Sequence, residues 1–109
     1  MLAFGVALSL LGIAACRRSA PLPSDKQLQA YRQAASPVVR WLERERAEKG
    51  CYPASLPSGV QASLAGVGPA ARYLPYNGNA NYQISVGDYQ RDGWTYFYNS
   101  KSRSWTRDG

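Results

Sequence analysis

Residues 48–57 read Glu48-Lys49-Gly50-Cys51-Tyr52-Pro53-Ala54-Ser55-Leu56-Pro57. Helical periodicity ends at this stretch, and every strand signal in the chain lies beyond it. Gly50 directly after Lys49 is a stop signal, since glycine accepts the left-handed backbone that closes a helix. The two prolines that follow cannot extend a helix.

Upstream, Ser24 opens the helix, and Gln27 three positions later completes a capping-box pattern. Asp25 falls in the first turn, where a negative charge suits the helix dipole. Leu28, Tyr31, Ala35, Val38 and Leu42 recur at spacings of 3, 4, 3 and 4, so one face is apolar. Val39 and Trp41 widen that face, while Arg32, Arg40, Glu43 and Arg44 fall mostly off it. Pro37 keeps the phase; it either kinks one helix or sits in the first turn of a second, with Ser36 as cap. The run Glu43–Lys49 alternates in sign and reads as a solvated, salt-bridged helix end.

Downstream, residues 58–70 are small and glycine-rich and read as a loop, with a helical turn near Gln61 to Ala65. Period-two alternation then takes over. Arg72–Tyr76 is a short strand, and Asn77-Gly78 is a hairpin signal. Residues Asn81–Asp88 place Tyr82, Ile84 and Val86 on one face. Asp92-Gly93 marks the next turn. Trp94–Asn99 places Trp94, Tyr96 and Tyr98 opposite Thr95 and Phe97. A polar turn at Ser100-Lys101-Ser102 leads into Arg103–Thr106. The expected fold class is α+β, an N-terminal amphipathic helix on a three- or four-stranded antiparallel meander. One sheet face packs on Leu28, Tyr31, Val38 and Leu42, and the other keeps tyrosines partly in water. Hairpins of this length are marginal alone, so the helix is required.

Before the helix, residues 2–15 carry no charge and end in small side chains. As a helix, fifteen residues span about 22 Å, short of a hydrocarbon core of roughly 30 Å. A secretory signal fits that length better than a permanent span. Ile13-Ala14-Ala15-Cys16 resembles, position by position, the lipobox of bacterial lipoproteins. The resemblance implies a diacylglyceryl group on the Cys16 thiol, cleavage between Ala15 and Cys16, and anchorage to a membrane through lipid. Such signals carry a Lys or Arg before the apolar run. Here only Met1 precedes it, so either translation starts further upstream or the chain is clipped. Residue 17 is Arg, and by analogy with enteric sorting the absence of Asp there implies the outer membrane, facing the periplasm. The chain thus divides into a signal (1–15), a lipidated tether (16–23) with two prolines, and a domain (24–109).

Gly50, Tyr52, Pro53 and Leu56 together resemble the junction of pilin-like proteins, especially the pseudopilins of type II secretion. In those a long helix ends in Gly-x-Tyr-Pro, with Leu shortly after and an antiparallel sheet beyond. The resemblance covers roughly residues 27–107 and implies the globular fold: Gly ends the helix, Tyr covers its last turn and Pro fixes the reversal toward the sheet. It does not imply fibre assembly, because the long apolar assembly helix of pilins has no counterpart here and a lipobox stands in its place. With Cys16 lipidated, Cys51 is an odd cysteine. The favoured reading is a buried structural thiol beside Tyr52; the alternatives are pairing between molecules or a reactive thiol.

The 109 residues carry 13 Lys and Arg against seven Asp and Glu, a formal charge of +6, all of it after Ala15. That balance favours acidic partners such as anionic lipid, a cell-wall polymer or nucleic acid. Nucleic acid is not expected, since no nucleic-acid-binding motif is present. There is no histidine, which excludes His-based triads and His metal sites. Asp88 and Asp92 flank a turn, where turn-making accounts for them. No catalytic set, metal-ligand spacing or cofactor motif is found, so a non-catalytic role is expected: a structural or interaction lipoprotein with an envelope protein partner. The alternative is a module that binds an anionic or carbohydrate envelope polymer through Tyr96, Tyr98, Arg103 and Trp105. Interleaved aromatics and arginine can stack on sugars, although the same aromatics can simply pack across strands.

Overall fold

In a computed structural model, residues 22–108 are described. Residues 1–21, on which the expected signal, Ala15, Cys16 and most of the expected tether fall, lie outside the described residues. Helix α1 spans Asp25–Lys49, α2 Ser58–Ala65, β1 Arg72–Tyr76, β2 Asn81–Val86, α3 Tyr89–Asp92, β3 Thr95–Asn99 and β4 Ser104–Asp108. The strands form one antiparallel sheet in the order β1-β2-β3-β4. The fold is therefore α+β: a long helix and a four-stranded open meander.

Helix α1 begins where its capping box places it. Ser24 Oγ accepts from the Gln27 amide at 3.2 Å, and Gln27 Oε1 accepts from the Ser24 amide at 2.9 Å. It ends at Gly50, whose φ of 84° is left-handed and whose amide donates to the Arg46 carbonyl at 2.7 Å. The helix is continuous through Pro37. Ser36 caps no second helix; its hydroxyl instead accepts from Arg40 Nη1 at 2.7 Å. The charged end behaves as its alternating signs predict, with Lys49 donating to Glu45 at 2.9 Å.

The buried stripe of α1 is Leu28, Ala35, Val38 and Leu42. It packs in one core with Tyr82, Ile84 and Val86 of β2, Tyr96 and Tyr98 of β3, and Tyr52, Leu64, Val67 and Trp94. Alternation forces this arrangement, since successive strand residues point to opposite faces. Cross-strand pairing then aligns Tyr73 with Ile84, Ile84 with Tyr98, and Tyr98 with Trp105 on the helix side. Tyrosines are accordingly concentrated under the helix. The expectation that the outer face keeps several is corrected: only Tyr76 does so, beside Leu74 and Phe97.

Three further differences have physical causes. Residues 58–65 form two turns of helix, not one turn in a loop. Leu64 is fully buried, with Val60 partly buried beside it, and that contact overrides the glycine content. Strand β2 stops at Val86 because Gly87 adopts φ 85° directly under Trp94. A Cβ there would lie 2.5 Å from the indole. Asp88 then caps the single turn α3 by accepting from the Gln90 amide at 3.1 Å.

Candidate functional site

The alternative reading makes Tyr96, Tyr98, Arg103 and Trp105 a binding surface, against simple cross-strand packing of the same aromatics. Tyr96 and Tyr98 are 4% and 9% exposed, so they are core and not a platform. The expectation for these two is corrected by the alternation that turns Tyr96 and Tyr98 toward α1. Trp105 on β4 covers them from the sheet edge, stacked on Tyr96 at 5.0 Å and 23° and tilted against Tyr98 at 5.4 Å. It remains half-buried. Arg103 occupies the turn before β4 with φ 56° and is exposed. Its charge acts on the Tyr98 hydroxyl, which burial and Glu43 push up and Arg103 pulls down.

The structure adds two residues to this edge. Arg32 of α1 donates from Nη1 to the Tyr96 hydroxyl at 2.7 Å. Arg107 is the cross-strand partner of Tyr96, and alternation puts it on the same face as Trp105. Facing cross-strand residues have Cβ atoms about 4.5–5.5 Å apart, so Arg107 is rooted beside Tyr96 on the helix side of the sheet. Arg107 was readable as the second residue after Trp105. Arg32 was not, because its link to Tyr96 joins positions 64 apart in sequence. Among the described residues, the ion pairs are Lys49–Glu45 and Arg91–Asp92; Arg32, Arg103 and Arg107 take part in neither. Asp108 follows Arg107 on the opposite face. Asp25 shares the stripe of Arg32 but lies two turns away, roughly 10 Å along the axis.

A second feature is the junction itself. Tyr52 is buried, its hydroxyl donates to Glu43 Oε2 at 2.8 Å, and its ring meets Tyr82 edge-on at 4.7 Å. The Arg46 guanidinium lies 5.7 Å from that ring. Tyr52 thus covers the last turns of α1. Cys51 is exposed, which corrects its reading as a buried thiol: Gly50 turns the chain so that Tyr52 points inward and its neighbour outward. Asp92 Oδ2 accepts from the Asp88 amide at 2.9 Å and from Arg91 at 2.9 Å, so both acids are occupied by the turn. Asp92 is held below the usual carboxylate range, chiefly by Arg91. Among the described residues, no group of three His, Cys, Asp or Glu side chains is placed to hold a metal ion.

A third feature is an open groove of about 450 Å³ between α1 and α2. Pro37, Trp41 and Val60 form apolar walls, and Arg44 lies at the rim. Pro37, Trp41 and Arg44 fall at i, i+4 and i+7 on α1, one stripe beside the core stripe. No helix among the described residues is long and apolar enough to cross a membrane. Comparison with protein-family models, curated proteins and solved structures finds no match to this chain.

Proposed function

We propose that this chain is an envelope lipoprotein, cut between Ala15 and Cys16, anchored through lipid on Cys16, and serving a non-catalytic structural or protein-interaction role. The observation that carries the reading is the run Ile13-Ala14-Ala15-Cys16, eight residues before a capped helix start at Ser24. One acyl chain alone binds a membrane reversibly, and two or more make the anchor stable. Outer-membrane placement facing the periplasm belongs to the same proposal. The junction Gly50-Cys51-Tyr52-Pro53 and the α+β architecture support a pilin-like relationship for the domain. An interaction role is further supported by the apolar groove with Trp41 and Arg44, residue types enriched where partners bind. The absence of histidine from the chain supports a non-catalytic role.

The test is metabolic labelling with an alkyne-bearing fatty acid, followed by mass spectrometry of the N-terminal peptide. The expected result is label on Cys16 as the first residue and none in Cys16→Ser. An unlabelled protein that keeps residues 1–15 would refute the anchor. Photo-crosslinking from position 60 at the groove should give one discrete protein adduct in intact cells, and its absence would count against the interaction role.

A second reading is favoured by a separate observation, the arginines around Tyr96 and Trp105. It is a binding module for an anionic or carbohydrate envelope polymer.

A further inference from the structure

We infer that the edge between α1 and β4 is a binding site for an anionic sugar unit, with Arg32 and Arg107 taking the acidic group and Trp105 stacking on the ring. The inference rests on the second reading above and gives it a place and a ligand chemistry. It does not depend on the lipid anchor.

The argument begins with Arg32. A guanidinium has five N–H donors, and the Tyr96 hydroxyl accepts from Nη1 at 2.7 Å. That bond fixes the side chain while leaving donors free. Tyr96 is held in turn by burial and by its stack on Trp105. The arginine is therefore preorganised, which lowers the entropy lost when it binds. Arg107 stands across the strand from the same tyrosine. Neither belongs to an ion pair among the described residues. One guanidinium fixed on the Tyr96 hydroxyl and a second arginine rooted across the strand from that residue suit an oxyanion that accepts from both, and guanidinium geometry matches carboxylate and phosphate.

Trp105 supplies the second half of the site. Tyr96 and Tyr98 support the indole from within the sheet, and part of its surface remains accessible. An aromatic surface beside fixed hydrogen-bond donors suits a sugar ring bearing an acid. Because β4 is the last strand of the sheet, no further strand among the described residues covers this side of Trp105. Arg103, in the turn leading into β4, extends the positive edge toward a neighbouring sugar unit. A stretched polynucleotide is the weaker candidate, because Tyr96 and Tyr98 are closed to base stacking.

The test uses the full chain in neutral detergent, titrated with a galacturonate trisaccharide and followed by the three tryptophan indole signals in NMR. The comparators are a neutral galactose trisaccharide, inorganic phosphate and a short single-stranded oligonucleotide. The expected result is saturable binding of the acidic trisaccharide, with the Trp105 signal moving most, at about 0.15 M salt. Arg32→Gln with Arg107→Gln should weaken it about tenfold or more. Arg40→Gln with Arg72→Gln, which removes the same two charges from exposed positions outside the site, should change it by less than about twofold. Equal binding by the Arg32→Gln, Arg107→Gln protein would overturn the site and leave polymer binding elsewhere on the domain. Equal loss in Arg40→Gln with Arg72→Gln would reduce the effect to net charge. Tighter binding of the neutral sugar, phosphate or oligonucleotide would overturn the ligand class. No binding of the acidic trisaccharide would overturn both the site and the second reading.

Discussion

Two buried residues, Tyr82 and Gly87, constrain substitution in opposite ways. Tyr82 is fully buried, and its hydroxyl finds no hydrogen-bond partner among the described residues. Leaving such a group unpaired costs about 1–3 kcal/mol. Tyr82→Phe should therefore be neutral or stabilising by about 1 kcal/mol in urea denaturation, and a clear loss would reveal a partner for the hydroxyl. Gly87 is the opposite case. Its φ of 85° disfavours any side chain, and a Cβ would strike the Trp94 ring at 2.5 Å. Gly87→Ala should destabilise by about 2 kcal/mol or more, combining backbone strain with overpacking. The same denaturation experiment measures it, with altered Trp94 fluorescence as a second readout.

At the level of elements, α1 was legible because each of its signals was local. Ser24 and Gln27 are three apart, the apolar stripe repeats within four, and Gly50 follows the last helical residue. The strands were legible for the same reason, apart from one or two residues at their ends. Where the reading of α2 stopped at one turn, the missing information was tertiary. Leu64 is buried in a core whose other members come from α1 and the sheet, and nothing in residues 58–65 announces that. The edge site was half legible for a similar reason. Trp105 and Arg103 stood in the expected strand, but the face that Tyr96 and Tyr98 share depends on where α1 lies. Pro37 makes α1 itself testable. An interior proline removes a backbone hydrogen bond and crowds the preceding turn. Pro37→Ala should restore that bond and raise stability by about 1 kcal/mol or more, seen as a higher urea midpoint with unchanged slope. An unchanged or lower midpoint would show that the proline's packing in the groove outweighs its backbone cost.

For the whole molecule, the stability of the core is tied to protons on its tyrosines. Burial, reinforced by Glu43, pushes the Tyr52 hydroxyl up to about 12. Burial first, then nearby ionisable groups, pushes Tyr73 up to about 12, while burial drives Tyr82 higher still. A group whose folded value is raised binds its proton more tightly in the folded chain. Its contribution is complete below the unfolded value near 10 and disappears as pH climbs through the folded value. The domain should therefore lose stability progressively between about pH 10 and 12. Urea denaturation across that interval should show the decline, and Tyr52→Phe with Tyr73→Phe should flatten it. A decline of unchanged steepness in that variant would show that these rings are not what limits alkaline stability.

The sheet order repeats the chain order without a crossover. Each strand therefore meets a neighbour that has already been synthesised, and no strand waits for a distant one. The long helix is complete first, but the residues that cover its apolar stripe come last, with β3 adding Tyr96 and Tyr98. A nascent chain emerging from the ribosome or threading a narrow channel thus carries an uncovered hydrophobic stripe until its final third appears. During that interval the stripe is a target for holding chaperones, and a premature stop before β3 would release a product that cannot hide it. Such truncated chains should be cleared by proteolysis rather than accumulate, so the last thirty residues or so act as the quality checkpoint for the whole domain.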